Sequence, residues 1–356
     1  GMATIYAEAV MAQHTRKLEN GHYVGGPVYY IKYVFKGRFG KFLAGFFSVA
    51  IILALGFMGN MVQSNSIGAA FNNAFHVPKL AVGICVAVIA GIIFIGGIKR
   101  IASFTEKIVP IMALLYIIGC LVILVMHLPG VGTAFKDIFV GAFAPQAIAG
   151  GALGVTVQKA MRFGVARGLF SNEAGMGSTP NAHAQAIVDH PCQQGQVAIV
   201  SVFIDTMLVL NMTAFVIIGT KMLEPGSAAY VDGKLLEGIA LTQTAFTSAF
   251  GSFGSIFIAI CMLFFAFSTI LGWYFFGETN VKYLFGEKAV KPYILLVCAF
   301  IIIGSLMKVS TIWNMSDCFN SLMVVPNVIA LFALTGVVKK TYKDYKENFR
   351  PNHPEE

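Results

Sequence analysis

The sequence predicts an all-α integral membrane protein, and its composition, its long apolar runs and the placement of its charges each support that class. Hydrophobic residues occupy 57% of the 356 positions and charged residues only 12%, whereas soluble domains carry about a quarter charged residues. The chain also has 37 glycines and 31 phenylalanines, which suit helices packed closely in lipid. A soluble globular protein is therefore excluded.

Apolar runs long enough to cross a bilayer, which takes about 20 residues, recur along the chain. They lie at about 42–70, 79–98, 107–127, 147–188, 196–222, 253–275, 292–309 and 315–338. Gly1–Gln13 is helical in pattern but too short to span, so we interpret the chain as an N-terminally truncated fragment. We predict one transmembrane domain over 1–338, with about eight full spans after a partial first helix.

The basic residues alternate with the predicted spans. Segments 14–41, 99–107, 282–291 and 339–356 are basic, while 71–79, 128–144 and 223–238 hold few cations. By the positive-inside rule the basic set is cytoplasmic, which explains the net charge of +8 and predicts a multi-pass cell-membrane protein. Residues 339–356 are predicted to be a polar cytoplasmic tail, disordered from Thr341 onwards. Nucleic-acid binding, which needs cations on one folded face, is excluded.

The sequence lacks the motifs of common enzyme classes. It contains no Walker loop, dinucleotide fingerprint or Gly-x-Ser-x-Gly elbow. The six cysteines show no metal or disulfide spacing, and His183, Asp189 and His190 lack ligand spacing. We therefore predict that the protein is not an enzyme.

The stretch Arg167–Pro180 interrupts the run 147–188 with residues that do not suit a helix in lipid. It holds three glycines and a proline, together with Asn172 and the ionisable Glu173. A helix can break inside hydrocarbon only where its backbone lines a polar cavity or is buried in protein. We predict a mid-membrane break that lines a binding site. The alternative is a loop at the membrane surface, which Arg162 and Arg167 would suit.

Polar residues interrupt the first long run at 59–66. Asn60 and Gln63 are one helical turn apart, and two amides on one helix face can hold a carboxylate or an ammonium group. Hydrogen bonding between helices is the alternative role. Of the two, Gln63 is the preferred candidate for ligand binding.

A second polar group lies at Ser268 and Thr269, whose hydroxyl oxygens suit a hard cation. Trp273 is one turn beyond Thr269 and shares its face. The alternative is that both hydroxyls bond back to their own helix.

Two further features break the apolar pattern of the spans. Asp205 lies inside a predicted span, where an acidic residue is either functional or paired with a neighbouring helix. Residues 237–250 are too polar to span and predict an external surface helix, either a gate or a connector.

Five stretches, in order, resemble the alanine/glycine:cation symporter family, the sodium:alanine symporters. They are Gly-Gly-Pro-Val-Tyr-Tyr-Ile at 25–31, Gly-Asn-Met-Val-Gln-Ser-Asn-Ser at 59–66, Gly-Ile-Lys-Arg-Ile at 97–101, Gly-Val-Ala-Arg-Gly-Leu-Phe-Ser-Asn-Glu-Ala-Gly-Met-Gly-Ser at 164–178 and Phe-Ser-Thr-Ile-Leu-Gly-Trp at 267–273. The resemblance runs to about Val338, and the Phe-Ser-Asn-Glu-Ala-Gly stretch is its most specific part.

The resemblance implies a leucine-transporter-like bundle of two five-helix repeats with inverted topology, in which the first helix of each repeat is broken. The second broken helix maps onto 147–188. The first, with its Gly-Thr-Gly-Asn-like motif, has no counterpart in this sequence, so the first repeat is incomplete.

The resemblance also implies site residues. Those for substrate are Gln63, Phe170, Gly175, Met176, Thr269 and Trp273. Those for Na⁺, the coupling ion, are Ser268 and Thr269. Asn60, Asn172, Glu173 and Asp205 are further pathway candidates. We expect free N–H groups near Gly175–Gly177 to help neutralise the substrate carboxylate.

The predicted function is sodium-coupled symport of a small neutral amino acid, alanine or glycine, across the bilayer. Proton coupling through Glu173 or Asp205 is one alternative. An ion channel of the same fold and a membrane enzyme or sensor without turnover are others. The sequence leaves the oligomeric state open.

Overall fold

Helices form most of the chain, which the computed structural model describes over residues 1–19, 21–143 and 151–353, without the side chains of 142–143 and 151–157. The strands of this part form two short antiparallel hairpins. These pair β1 (Lys17–Glu19) with β2 (His22–Val24) and β3 (Tyr230–Val231) with β4 (Lys234–Leu235). The predicted all-α membrane class is confirmed.

The described helices differ widely in length. In chain order they are α1 (Met2–Thr15), α2 (Pro27–Val34), α3 (Gly37–Ile51), α4 (Asn60–Phe75), α5 (Lys79–Ile95), α6 (Gly97–Met126), α7 (Leu128–Phe143), α8 (Gly151–Asn172), α9 (Pro180–His183), α10 (Pro191–Phe203), α11 (Asn211–Gly219), α12 (Ile239–Phe250), α13 (Ser252–Phe285), α14 (Val290–Leu306), α15 (Val309–Asp344) and α16 (Arg350–Asn352). Short helical turns of other types join some of them: π-helical Ile52–Gly59, Ile204–Leu210 and Tyr345–Phe349, and 3₁₀-helical Glu287–Ala289.

Six helical stretches of the described residues are long and apolar enough to cross a membrane. They are Gly37–Phe75, Gly97–Met126, Pro191–Gly219, Ser252–Phe285, Glu287–Leu306 and Val309–Asn352. Each contains most or all of a predicted span. α5 is apolar but shorter, and positions 147–150 of the predicted broken span lie outside the described residues.

The centre of the bundle is α13, which packs against α4, α6, α12 and the π-helical stretch before α4. Small residues permit this approach. A Cβ at Gly277 would lie 1.9 Å from the Tyr293 hydroxyl, and one at Gly56 would lie 2.5 Å from the same oxygen. Tyr293 therefore fills space that only glycines leave open, and it joins α14 to this contact.

The predicted 237–250 surface helix is present as α12. Its buried Gln243 donates a 3.0 Å hydrogen bond to the Ala70 carbonyl of α4 and a 3.2 Å bond to the Ser255 carbonyl of α13. The helix is thus fastened to two spans. Its role as gate or connector stays a prediction.

Three segments expected as loops are helical over much of their length. The basic segment 14–41 contains the β1–β2 hairpin and α2, which begins at Pro27 after Gly26 at φ +121°. Lys99 of segment 99–107 lies in the first turns of α6, and segment 128–144 forms α7 through Phe143. Polar or mixed composition hid these helices, because tertiary contacts override such local signals.

The tail was predicted to be disordered, and that prediction is wrong through Asn352. α15 continues past Val338 to Asp344, and further helical turns follow. Tyr345 is buried in a cluster with Val10 and Cys192, which gives the tail an anchor that its polar composition does not reveal. Positions 354–356 lie outside the described residues.

Candidate functional site

The predicted helix break is present. α8 ends at Asn172, and helix resumes only at Pro180. Between them Glu173 has a φ of 56°, Gly175 of 93° and Gly177 of 79°. This left-handed backbone favours glycine and cannot continue a helix.

The side chain of Asn172 closes the end of α8. Its Oδ1 accepts a 3.0 Å hydrogen bond from the N–H of Ala174, and its Nδ2 donates to Thr206 Oγ1 at 3.2 Å. Asn172, named as a pathway candidate, therefore forms a turn that leads the chain out of α8 and joins this helix to the π-helical stretch 204–210.

A carboxylate from α1 lies behind the break. Glu8 is fully buried and accepts hydrogen bonds from the N–H groups of Gly175 and Gly177, both at 2.9 Å. Asn327 of α15 donates a third bond at 2.6 Å. Successive backbone N–H groups in such a turn form an anion-binding concavity, here occupied by Glu8.

Sequence reasoning missed Glu8, because Gly1–Gln13 was considered only as a partial span. The signal was available: an ionisable residue in a membrane helix is a functional candidate by default.

Glu8 corrects one expectation about the substrate. The N–H groups near Gly175–Gly177 were expected to face the substrate carboxylate, yet Gly175 and Gly177 donate to Glu8. The N–H of Met176 donates to the Glu173 carbonyl at 3.1 Å. All three are satisfied within the protein, because the buried carboxylate must itself be hydrogen-bonded.

Aromatic rings cover the other side of the break. The Phe170 ring meets that of Trp273 edge to face at 5.1 Å between centroids, and that of Trp313 at 4.8 Å. The Trp273 Nε1 donates to Glu173 Oε1 at 2.5 Å, and the hydroxyl of Ser178 donates to Oε2. Glu173 therefore links the break to α13.

Trp273 also contacts the π-helical stretch before α4. A Cβ at Gly59 would lie 2.6 Å from its ring carbons. Gln63 follows Gly59 by four residues and so shares its helix face. Its side chain is half-buried and has no hydrogen-bond partner among the described residues.

Asn60 differs from Gln63 in its surroundings. It is fully buried, and its Nδ2 donates to the Gly56 carbonyl at 3.0 Å. Its Oδ1 is buried without a partner in the part of the chain described here. The two amides are thus not equivalent.

Met176 is buried in the same apolar cluster as Trp273, and Phe170 packs against that cluster. Thr269 lies one turn before Trp273 on α13. The structure thus groups Phe170, Met176 and Trp273 directly. It places Gln63 and Thr269 on helix faces that adjoin Trp273.

The predicted sodium ligands bond to their own helix. Ser268 Oγ donates to the Phe265 carbonyl at 3.0 Å and Thr269 Oγ1 donates to it at 2.8 Å. Each hydroxyl oxygen still has lone pairs to offer.

Asp205 is hydrogen-bonded to a neighbouring helix, α8. Both of its oxygens accept from the Ser171 hydroxyl at 2.9 Å. Asp205, Ser171, Asn172 and Glu173 line part of a cavity of about 290 Å³ beside α1 and α10.

His190, near the 189–195 turn, has a structural role. His190 caps α10 by accepting from the Cys192 N–H at 3.2 Å, and its other nitrogen lies 3.4 Å from Asp344. Among the described residues, no group of three or more His, Cys, Asp or Glu side chains could hold a metal ion.

These features define the class of the protein. A bundle in which six of the described helical stretches are of membrane length contains a break between α8 and α9, with polar groups and aromatic rings beside it. This is the arrangement in which secondary transporters build their sites.

Comparison with known proteins identifies the family. The model of the sodium:alanine symporter family matches residues 1–356, and the chain belongs to that family. The chain is 38% identical over 352 residues to the sodium/alanine symporter AgcS of Methanococcus maripaludis, covering 98% of this chain and 75% of that protein.

Two relatives from Bacillus subtilis are similar to the chain at the same level. The probable sodium/glutamine symporter GlnT is 40% identical over 349 residues, covering 97% of this chain and 69% of the relative. The putative sodium/proton-dependent alanine carrier protein YrbD is 37% identical over 358 residues, covering 97% and 72%. The protein is a sodium-coupled amino-acid symporter of the cell membrane, not an enzyme.

Proposed function

We propose that the protein carries alanine or glycine together with Na⁺ across the cell membrane. The observation that carries this proposal is the break at 173–179, which lies against Trp273 and Phe170 inside the bundle. A substrate bound beside these two rings would need a very small side chain. The name of AgcS, a sodium/alanine symporter, supports the same substrate class.

We assign the substrate to Gln63, Phe170, Gly175, Met176, Thr269 and Trp273. The unbonded amide of Gln63 would hydrogen-bond the charged head group. Phe170, Met176 and Trp273 would wall the side-chain end of the pocket and exclude longer side chains.

We assign Na⁺ to the region of Ser268 and Thr269. Both hydroxyls use their protons on the Phe265 carbonyl, which leaves oxygen lone pairs for a hard cation. Because Thr269 belongs to both sets, bound Na⁺ would favour substrate binding and the reverse.

The proposal includes the remaining architecture. We propose a leucine-transporter-like bundle of inverted repeats, with one transmembrane domain over 1–338 and a cytoplasmic segment over 339–356. The helical composition and the break support this arrangement, in which alternating access around the break moves the substrate.

The test is uptake into proteoliposomes containing the purified protein. We expect labelled alanine to accumulate under an inward Na⁺ gradient and to stop when choline replaces Na⁺. Unlabelled glycine should compete with labelled alanine, and unlabelled glutamine should not. Glutamine is included because the relative GlnT is named a probable sodium/glutamine symporter.

Other results would identify the alternatives. Uptake in choline driven by a proton gradient would favour proton coupling, which YrbD's name includes. A current insensitive to alanine would favour an ion channel, and alanine binding without uptake would favour a sensor.

A further inference from the structure

We infer that Glu8 is a positioning residue of the transport site. Its carboxylate, and not that of the substrate, accepts the hydrogen bonds from the N–H groups of Gly175 and Gly177 in the broken helix. This inference rests on the proposed function, because it concerns the segment that carries Gly175 and Met176.

The charge of Glu8 is satisfied by hydrogen bonds alone. The side chain is fully buried, and no Lys or Arg of the described residues forms an ion pair with it. Its partners are the two glycine N–H groups at 2.9 Å and Asn327 Nδ2 at 2.6 Å. A buried anion requires such a set of donors, so the break must hold its N–H groups on this side.

Asn327 extends the same network to two more elements. Its Nδ2 also donates to the Gly175 carbonyl at 2.9 Å, and its Oδ1 accepts from the Tyr30 hydroxyl of α2. Both the N–H and the C=O of Gly175 are therefore fixed, by α1 and by α15. A Cβ at Gly177 would lie 2.9 Å from Asn327 Cγ, so position 177 has room only for glycine.

The segment between these glycines faces two ways. The N–H groups of Gly175 and Gly177 point to Glu8, while the Met176 side chain is buried with Trp273 in the cluster against which Phe170 packs. Holding the backbone from the Glu8 side therefore fixes the position of Met176 beside Trp273. Position errors of about 1 Å at such sites are costly.

The variant Glu8→Gln tests this role, because it keeps the size of the side chain and replaces one acceptor oxygen with an NH₂ group. That group would face a glycine N–H, leaving one bond lost and two donors opposed. We expect KM for alanine to rise about tenfold, the effect of losing one charge-assisted hydrogen bond. The maximal rate should change far less.

The matched control is Gln13→Met on the same helix. Gln13 is buried and donates to the carbonyls of His183 and Ala186, beyond the break. Its loss should lower thermal stability while KM stays near the wild-type value. Equal KM changes in both variants, or wild-type KM in Glu8→Gln, would overturn the inference.

Hydrogen exchange provides a readout that does not depend on the substrate. We expect faster amide exchange in the peptide covering 173–179 of Glu8→Gln, and wild-type exchange there in Gln13→Met. Unchanged exchange in Glu8→Gln would reject the positioning role. If the wild-type protein does not take up alanine, the proposed function is rejected instead.

If Glu8→Gln does not fold, Glu8→Asp retains the charge and both acceptors on a shorter side chain. We expect its KM for alanine to lie between the wild-type value and ten times that value. Its amide exchange over 173–179 should be faster than in the wild type. Wild-type values for both would count against the inference.

Discussion

At the scale of single residues, two amide side chains of α4 differ in whether the protein supplies their hydrogen-bond partners. On α4, Asn65 donates to the carbonyls of Gly304 and Met307, both at 2.8 Å. Gln63, two residues earlier, has no such partner among the described residues. A half-buried amide without a partner is available to a ligand, whereas Asn65 has a structural role.

The first prediction compares these two residues. Gln63→Ala should raise KM for alanine about tenfold while leaving the melting temperature unchanged, since a ligand bond is lost and no protein bond is. Asn65→Ala should instead lower the melting temperature and leave KM near the wild-type value, because the carbonyls of Gly304 and Met307 lose their donor. Uptake kinetics and thermal unfolding in detergent measure the pair. Wild-type uptake by Gln63→Ala would remove Gln63 from the site.

Trp273 contacts three other residues of the candidate site. It packs against Phe170, closes over Gly59 and donates to Glu173. Trp313, the other tryptophan of the chain, contacts Phe170 as well and lies with its ring 4.0 Å from the guanidinium carbon of Arg167.

The second prediction uses this pair of tryptophans. Trp273→Ala opens the pocket and removes the donor to Glu173, so alanine uptake should fall at least about tenfold or the range of substrates should widen to glutamine. Trp313→Ala should leave the rejection of glutamine intact. Competition by unlabelled glutamine is the measurement. A Trp273→Ala protein with wild-type selectivity would contradict the assignment.

At the scale of elements, two contacts hold the C-terminal part of α8. Ser171 and Asn172 bind the π-helical stretch 204–210. About one turn earlier in α8, Arg167 forms a bidentate ion pair with Asp317 of α15, at 2.6 and 3.1 Å. This pair joins two helices that are 150 residues apart in sequence.

The third prediction concerns that ion pair. Both side chains are about one-third exposed, at 34% and 35%, so Asp317→Asn should lower the free energy of unfolding by only about 1 kcal/mol. The loss should shrink at high salt, which screens the pair. Thermal unfolding at two ionic strengths tests this. Glu224→Gln, from the more exposed pair Lys221–Glu224, should show a smaller effect, and a salt-independent loss would contradict the electrostatic origin.

At the scale of the whole molecule, the break brings together elements from the entire chain. α1 supplies Glu8, α2 supplies Tyr30, α13 supplies Trp273 and α15 supplies Asn327. These four helices therefore meet around the break, with the carboxylate of Glu8 on one side and the rings of Phe170 and Trp273 on the other. Another contact between distant parts of the chain holds the tail, where Tyr345 packs against α1.

The sequence by itself determined the membrane class, most of the spans, the family resemblance and the position of the broken helix. These follow from local properties: apolar length, helix-breaking residues and specific short motifs. Tertiary structure alone decided what the broken backbone binds. Glu8 lies 167 residues from Gly175, and only the packing of α1 against the break makes its carboxylate, rather than a ligand, the acceptor of those N–H groups.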